Sequence, residues 1–177
     1  MRLSIPTLLF LATCLSRAFA ADIVFQDHPL TEVKASVQIP EGWTSTQEEE
    51  DGVFVYHFGK AEKNGKTTFV TLSVTTKVPD RTGQSPAEYA EALIDLSKDD
   101  ESPVPVMKSE KDGMAMIRCE YDIESEDGKS RAVNISLAND KTGTLYFFAW
   151  QAPLDESVEK EAIREKILAT AKFDPAF

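Results

Sequence analysis

The chain has 177 residues, of which 30 are acidic and 19 basic, giving a formal net charge of -11. That length is one domain's worth of chain. A field of that sign repels nucleic acid and anionic lipid heads, which excludes DNA and RNA binding and favours solubility or a basic partner.

Residues 1–20 read as a signal peptide. Arg2 supplies a positive start, and 3–15 form an apolar run broken only by Ser4, Pro6, Thr7 and Thr13. Ala18-Phe19-Ala20 then gives the small-x-small pattern of a cleavage site, so cleavage after Ala20 is expected. The run is too short for a good spanning helix, and no later stretch is long enough either. An alternative is a lipid anchor on Cys14, but Thr13 is a poor residue to precede a modified cysteine, and the anchor is disfavoured. Without Arg2 and Arg17 the mature domain, residues 21–177, has 17 basic against 30 acidic residues, a net charge of -13. It keeps one cysteine, Cys119, so an internal disulfide is impossible and the core must hold the fold. A periplasmic or secreted bacterial protein is the expectation.

In chain order, 22–30 is a short lead-in in which Ile23, Val24 and Phe25 can make a brief strand, and 33–39 is a strand with alternating apolar residues. Pro40 and Gly42 end that strand, because proline cannot extend a ladder and glycine accepts positive φ. Trp43 is expected to fold back over the sheet and cap the core. An acidic connection, Glu48-Glu49-Glu50-Asp51-Gly52, precedes a strand at 53–58, with Phe54, Tyr56 and Phe58 on one face and Val53, Val55 and His57 on the other. Asn64-Gly65 signals a hairpin into a strand at 67–77.

Ser85-Pro86-Ala87-Glu88 opens a helix with a capping serine, a first-turn proline and a glutamate closing the capping box. Tyr89, Leu93 and Leu96 form its expected inner stripe, and Asp99-Asp100-Glu101-Ser102-Pro103 ends it. Four strands follow at 104–110, 114–123, 130–138 and 144–151. The last is apolar on both faces and needs cover on both. A second helix, capped by Asp155 and reaching about residue 171, turns Val158, Ala162, Ile163 and Ile167 inward. Asx-Gly pairs between strands mean antiparallel hairpins. The class is α+β: an antiparallel meander of about seven strands with helices packed on its faces.

No arrangement of reactive residues stands out. A hydrolytic triad needs an imidazole base, and only His28 and His57 exist; no Gly-x-Ser-x-Gly elbow occurs. His57 shares a face with valines and reads as a packed or half-exposed structural histidine, His28 as a solvated loop residue. Cys119 lies on an apolar strand face and reads as a buried small hydrophobe. Three acidic clusters are candidate cation sites: Glu48 to Asp51, Asp99 to Glu101, and Asp122 with Glu124, Glu126 and Asp127. None has the converging spacing of a calcium loop, and zinc spacing is absent, so solvated turns are the reading with weak calcium binding as the alternative. Asn134-Ile135-Ser136 matches a glycosylation sequon inside a strand. No cofactor motif is present.

The order strand, Pro40-Glu41-Gly42-Trp43, hairpin, helix with Ala87-Glu88-Tyr89-Ala90, four strands and terminal helix ending Ile167-Leu168-Ala169-Thr170-Ala171-Lys172-Phe173 resembles the PsbP-like fold. That family includes the photosystem II extrinsic subunit PsbP, a Ran-binding nuclear protein and DcrB-type bacterial envelope proteins. Pro40, Gly42 and Trp43 are the fold signature. The resemblance implies a non-catalytic binding or accessory protein of the bacterial envelope, acting through protein contacts with another envelope protein. Glu48, Glu49, Glu50, Asp51, Asp99, Asp100 and Glu101 are its candidate interaction surface. A small-ligand or lipid carrier, with a pocket between the Trp43 turn, Trp150 and a helix, is one alternative, and a periplasmic immunity protein is another.

Overall fold

The computed structural model describes residues 23–61, 67–96, 105–125 and 128–177. The expected signal peptide with Cys14, the Asn64-Gly65 turn, the run Asp99-Asp100-Glu101, and Glu126 with Asp127 lie outside the described residues.

β1 (Phe25–Leu30) and β2 (Ala35–Pro40) pair antiparallel around a 3-10 turn at Thr31–Val33, which Lys34 closes at φ 46°. The expected single strand at 33–39 is therefore half of a hairpin, and the lead-in is a strand. His28 and Pro29 lie within it, and proline is tolerated because β1 is an edge. β3 (Thr44–Glu50), β4 (Val53–Ala61) and β5 (Thr67–Thr75) form an antiparallel run. Asp51 and Gly52 turn β3 into β4 with both φ values positive, at 50° and 69°, as a tight hairpin turn matched to strand twist requires. The acidic stretch 48–50 is thus strand, not connection.

A short helix, α1 (Val78–Thr82), follows β5, and α2 (Pro86–Leu96) begins where the sequence places it. The Ser85 N–H donates to Glu88 Oε2 at 2.8 Å and the Glu88 N–H to Ser85 Oγ at 3.2 Å, which completes the capping box. The inner stripe is different: Ala90 and Ile94 are buried, Tyr89 and Leu93 half-buried, and Leu96 is 82% exposed. A helix lying close on a sheet favours a small residue at the point of nearest approach, and Ala90 provides it.

β6 (Val106–Lys111), β7 (Met114–Ser125), β8 (Gly128–Asn139) and β9 (Thr144–Pro153) form a second antiparallel run. A 3-10 turn at Leu154–Glu156, where a capped helix start was expected, leads into α3 (Ser157–Thr170) and the short β10 (Lys172–Phe173). β9 comes back to pair with β5, so the two runs fuse into one sheet of order β3-β4-β5-β9-β8-β7-β6, and β1-β2-β10 makes a second small sheet. The class is α+β and the main sheet has seven antiparallel strands, as the sequence implies. It is two meanders joined through their last strands, not one.

Tyr56, Leu72, Phe148 and Ile135 occupy successive register positions, so an apolar row crosses the sheet on one face. α3 and the small sheet cover that face with Val37, Ile39, Ile163 and Ile167. α1 and α2 cover part of the opposite face through Val78, Ala90, Ile94, Ile117, Cys119 and Leu145. α3 also departs from expectation. Ile163 and Ile167 are buried, but Ala162 is exposed and Arg164, at 6% exposure, is inside; the side chain of Val158 lies outside the described residues.

Candidate functional site

The turn after β2 borders a cleft in the surface. The Trp43 N–H donates to the Pro40 carbonyl at 3.2 Å, closing a four-residue turn whose third residue, Gly42, has φ 82°. That backbone setting favours glycine over any residue with a Cβ. The neighbouring Glu41 N–H donates to the Val24 carbonyl at 2.8 Å and ties down the chain entering β1. Trp43 is half-buried, its indole stacked on the buried Trp150 with ring centroids 6.0 Å apart and planes 28° from parallel. The expected buried cap is therefore a half-covered aromatic wall.

Beside this wall lies a cleft of about 410 Å³. Ile23, Pro40, Trp43 and Ile163 give it an apolar lining, with Val24 and Gly42 adjoining. Among the described residues its charged lining comprises Glu41, Lys60 near the end of β4, and Lys160 in the first turn of α3. Lys160 is 9% exposed. The pocket expected between the Trp43 turn, Trp150 and a helix is present in outline, with Trp150 behind Trp43 instead of in the lining. Lys60, Lys160 and Ile163 were not legible beforehand. Lys160 and Ile163 stand three residues apart on one helical face, but that spacing does not say which strand end they meet.

A second cluster joins α3 to β7. Arg118 pairs with Glu120 and reaches Glu165 at 2.9 Å, while Arg164 lies 3.0 Å from Glu165, 3.3 Å from Glu161 and 3.6 Å from Glu120. Burial alone would raise the Glu120 carboxyl, but the hydrogen bond and charge of Arg118, with Arg164 and Arg131, hold it below the usual carboxylate range. Each cation faces carboxylates at short range, so the cluster clamps two elements and offers no vacant charge to a substrate.

The sequence candidates are dispersed. All seven residues of β3 are exposed; β3 is the edge of the large sheet and, among the described residues, pairs only with β4, with Glu48 and Glu50 pointing to one side and Glu49 to the other. Asp51 sits in the turn that follows. Asp122 is paired with Arg131 at 2.9 Å and Glu124 with Lys129 at 3.6 Å. Among the described residues, no three acids, histidines or cysteines come together as metal ligands. His57 is exposed, not packed, and shares a 3.0 Å hydrogen bond with Thr71 across the ladder. His28 is half-buried with its ring edge-on to Phe58 at 5.0 Å, so it is not a solvated loop residue. Cys119 is fully buried and Asn134 is buried within β8. Neither histidine approaches a serine or cysteine nucleophile in the contacts described. No described helix is long and apolar enough to cross a membrane.

No family model and no curated protein matches the chain. Several solved structures do match in shape. The chain is similar to the cyanobacterial PsbP (CyanoP) of Synechocystis sp. PCC 6803 at 12% identity and a TM-score of 0.59, over 88% of this chain and 95% of that one. It is similar to the Ran-binding protein Mog1p of Saccharomyces cerevisiae at 10% identity and a TM-score of 0.52, over 85% and 96%. It is also similar to PA94, a protein of unknown function and putative regulator from Pseudomonas aeruginosa, at 11% identity and a TM-score of 0.51, over 82% and 94%. Identities this low carry the fold and no residue roles. The chain has the PsbP/Mog1-like fold.

Proposed function

We propose that this is a non-catalytic binding protein, exported through residues 1–20 and acting in the bacterial envelope by contact with another protein. The observation that carries the reading is the β3 edge. Thr44–Glu50 is exposed along its whole length, pairs on one side only among the described residues, and bears Glu48, Glu49 and Glu50 on both of its faces. Its outer backbone groups can accept another strand, and its carboxylates favour a basic one while repelling further copies of this acidic chain. That Mog1p, a protein of the same fold, is named as Ran-binding supports a role in protein recognition without identifying the partner. The absence of a nucleophile–base pair among the described residues favours binding over catalysis.

The test is capture from envelope fractions with mature protein and with two variants, Glu48→Lys/Glu49→Lys/Glu50→Lys and Gln47→Pro. A partner retained by the native chain, released by salt and lost with both variants is the expected result. Equal recovery with all three chains would remove β3 as the contact.

A second reading, carriage of a small ligand, is favoured by one feature, the cleft beside Trp43. Its volume falls in the range of small-molecule sites, and its lining combines apolar walls with a few charged groups.

A further inference from the structure

We propose that β3 receives an extended segment of one particular kind, consecutive basic residues followed by uncharged β-formers, which adds to Thr44–Glu50 in antiparallel direction. The inference rests on the β3 contact proposed above and carries it to the partner's sequence and direction. β3 runs from an uncharged half, Thr44-Ser45-Thr46-Gln47, to an acidic half, Glu48-Glu49-Glu50, so its edge has a distinct charge at each end. Antiparallel addition continues the pattern of every ladder in the large sheet and is slightly the more stable pairing per residue. It sets the start of the incoming strand against Glu50 and its end against Thr44.

Charge decides what the first half of that strand carries. Elsewhere on the surface, acids have cations beside them: Asp122 meets Arg131 at 2.9 Å, Glu124 meets Lys129 at 3.6 Å and Glu91 meets Lys108 at 2.7 Å. Glu48, Glu49 and Glu50 make no ion pair among the described residues. Arg81, which lies against Gly52 of the following turn, donates instead to the Thr76 carbonyl at 2.8 Å. Glu48 and Glu50 stand about 7 Å apart on one face, the spacing of alternate residues on an added strand. Glu49 shares the other face with Gln47, opposite Phe54 and Tyr56, and there Glu32 accepts from the Tyr56 hydroxyl at 3.5 Å. The charges of Glu32 and Glu49 both act on that phenol, so the middle basic residue meets carboxylates from two separate elements. Opposite charges across a ladder stabilise it, and like charges oppose it. Against the uncharged half, threonine and valine favour the extended chain.

An NMR titration of isotope-labelled mature protein tests this with two capped peptides of one composition, Lys-Arg-Lys-Thr-Val-Thr-Val and its reverse. The first should bind one-to-one with a Kd of about 1 mM or tighter and shift the amides of Thr44–Glu50. The reverse should bind about tenfold more weakly. N-methylation of alternate peptide residues should abolish binding in one phase and spare it in the other, because only alternate N–H groups face the edge. Glu48→Lys/Glu50→Lys, on an exposed strand, should weaken the first peptide about tenfold with an unchanged melting curve. Equal affinity of the two peptides, or equal loss in both methylation phases, overturns the inference and leaves β3 as an acidic contact. No binding of either peptide also overturns it, while capture from envelope fractions decides the β3 contact separately. Peptide binding that shifts amides away from β3 overturns the inference and the β3 contact together.

Discussion

The Trp43 indole lies on that of Trp150, centroids 6.0 Å apart and planes 28° from parallel, and so links the turn after β2 to the centre of the large sheet. Full burial of a tryptophan makes its loss cost about 3–5 kcal/mol. Trp43 is half-buried, so Trp43→Ala should cost roughly 2 kcal/mol in urea unfolding. Trp150 emission should shift to the red as water reaches the exposed ring. An unchanged melting curve would show that Trp43 serves contact and not packing.

The clamp between α3 and β7 makes stability depend on acid. Glu120 loses its proton more readily folded than unfolded, because Arg118 and its neighbours outweigh the effect of burial. Its contribution is therefore fully present above the unfolded carboxyl range and is lost as pH falls through the lowered folded value. Glu120 is 32% exposed, so water screens the pair, and Glu120→Gln should cost on the order of 1 kcal/mol at pH 7. The gap between variant and native chain should close in unfolding curves taken below about pH 4. A gap that persists in strong acid would mean that the glutamine disrupts packing and not charge.

Tyr146 behaves in the opposite sense. Its hydroxyl is buried with no hydrogen-bond partner among the described residues, and its ring packs on Phe173 at 4.3 Å. Burial, with a smaller effect of Asp174, pushes the phenol up from 10.0 to about 12. The neutral phenol therefore favours the fold fully below the unfolded value, and that preference disappears as pH rises through about 12. Tyr146→Phe removes an unsatisfied buried group and should raise stability by about 1 kcal/mol at neutral pH. It should also flatten the alkaline limb of a pH–stability curve. Tyr56, likewise raised to about 12, keeps some of that limb in the variant.

The proposed export gives a prediction read at the N-terminus. Protein recovered from the periplasm should begin at Ala21, and Cys14→Ala should leave its processing and its release from membranes unchanged. N-terminal sequencing and fractionation measure both. Membrane retention abolished by Cys14→Ala would establish the lipid anchor in place of simple cleavage.

Local interactions were the legible part of the chain. The capping box at Ser85 and Glu88 spans three residues, and the Asp112-Gly113 turn needs only its own positive φ values, so each is written in adjacent residues, whereas Asp51-Gly52 was read as the end of an acidic connection and not as a tight turn. β1 was foreseen only as a brief strand at Ile23, Val24 and Phe25; its true extent, Phe25–Leu30, was missed because Pro29 and its polar neighbours blur the alternation, and its pairing with β2 supplies the order instead. The inner face of α2 was misassigned because large apolar residues were weighted over Ala90, whose small size matters only against a sheet. In the candidate site, the turn at Pro40, Gly42 and Trp43 was legible, whereas the lysines that line the cleft were not.

The sequence by itself determined the class of the fold, the antiparallel pairing and the sharp turn that presents Trp43, since alternation, caps and glycine turns act over a few residues. Only the tertiary structure decided that β9 returns to β5, that Arg164 is buried against Glu120 44 positions earlier, and that Lys60 and Lys160 line one cleft. The physical reason is range. Backbone preference acts between neighbours, but a cleft, an ion-pair clamp or a stack of two indoles exists only where the sheet register and the packing of α3 bring distant residues together.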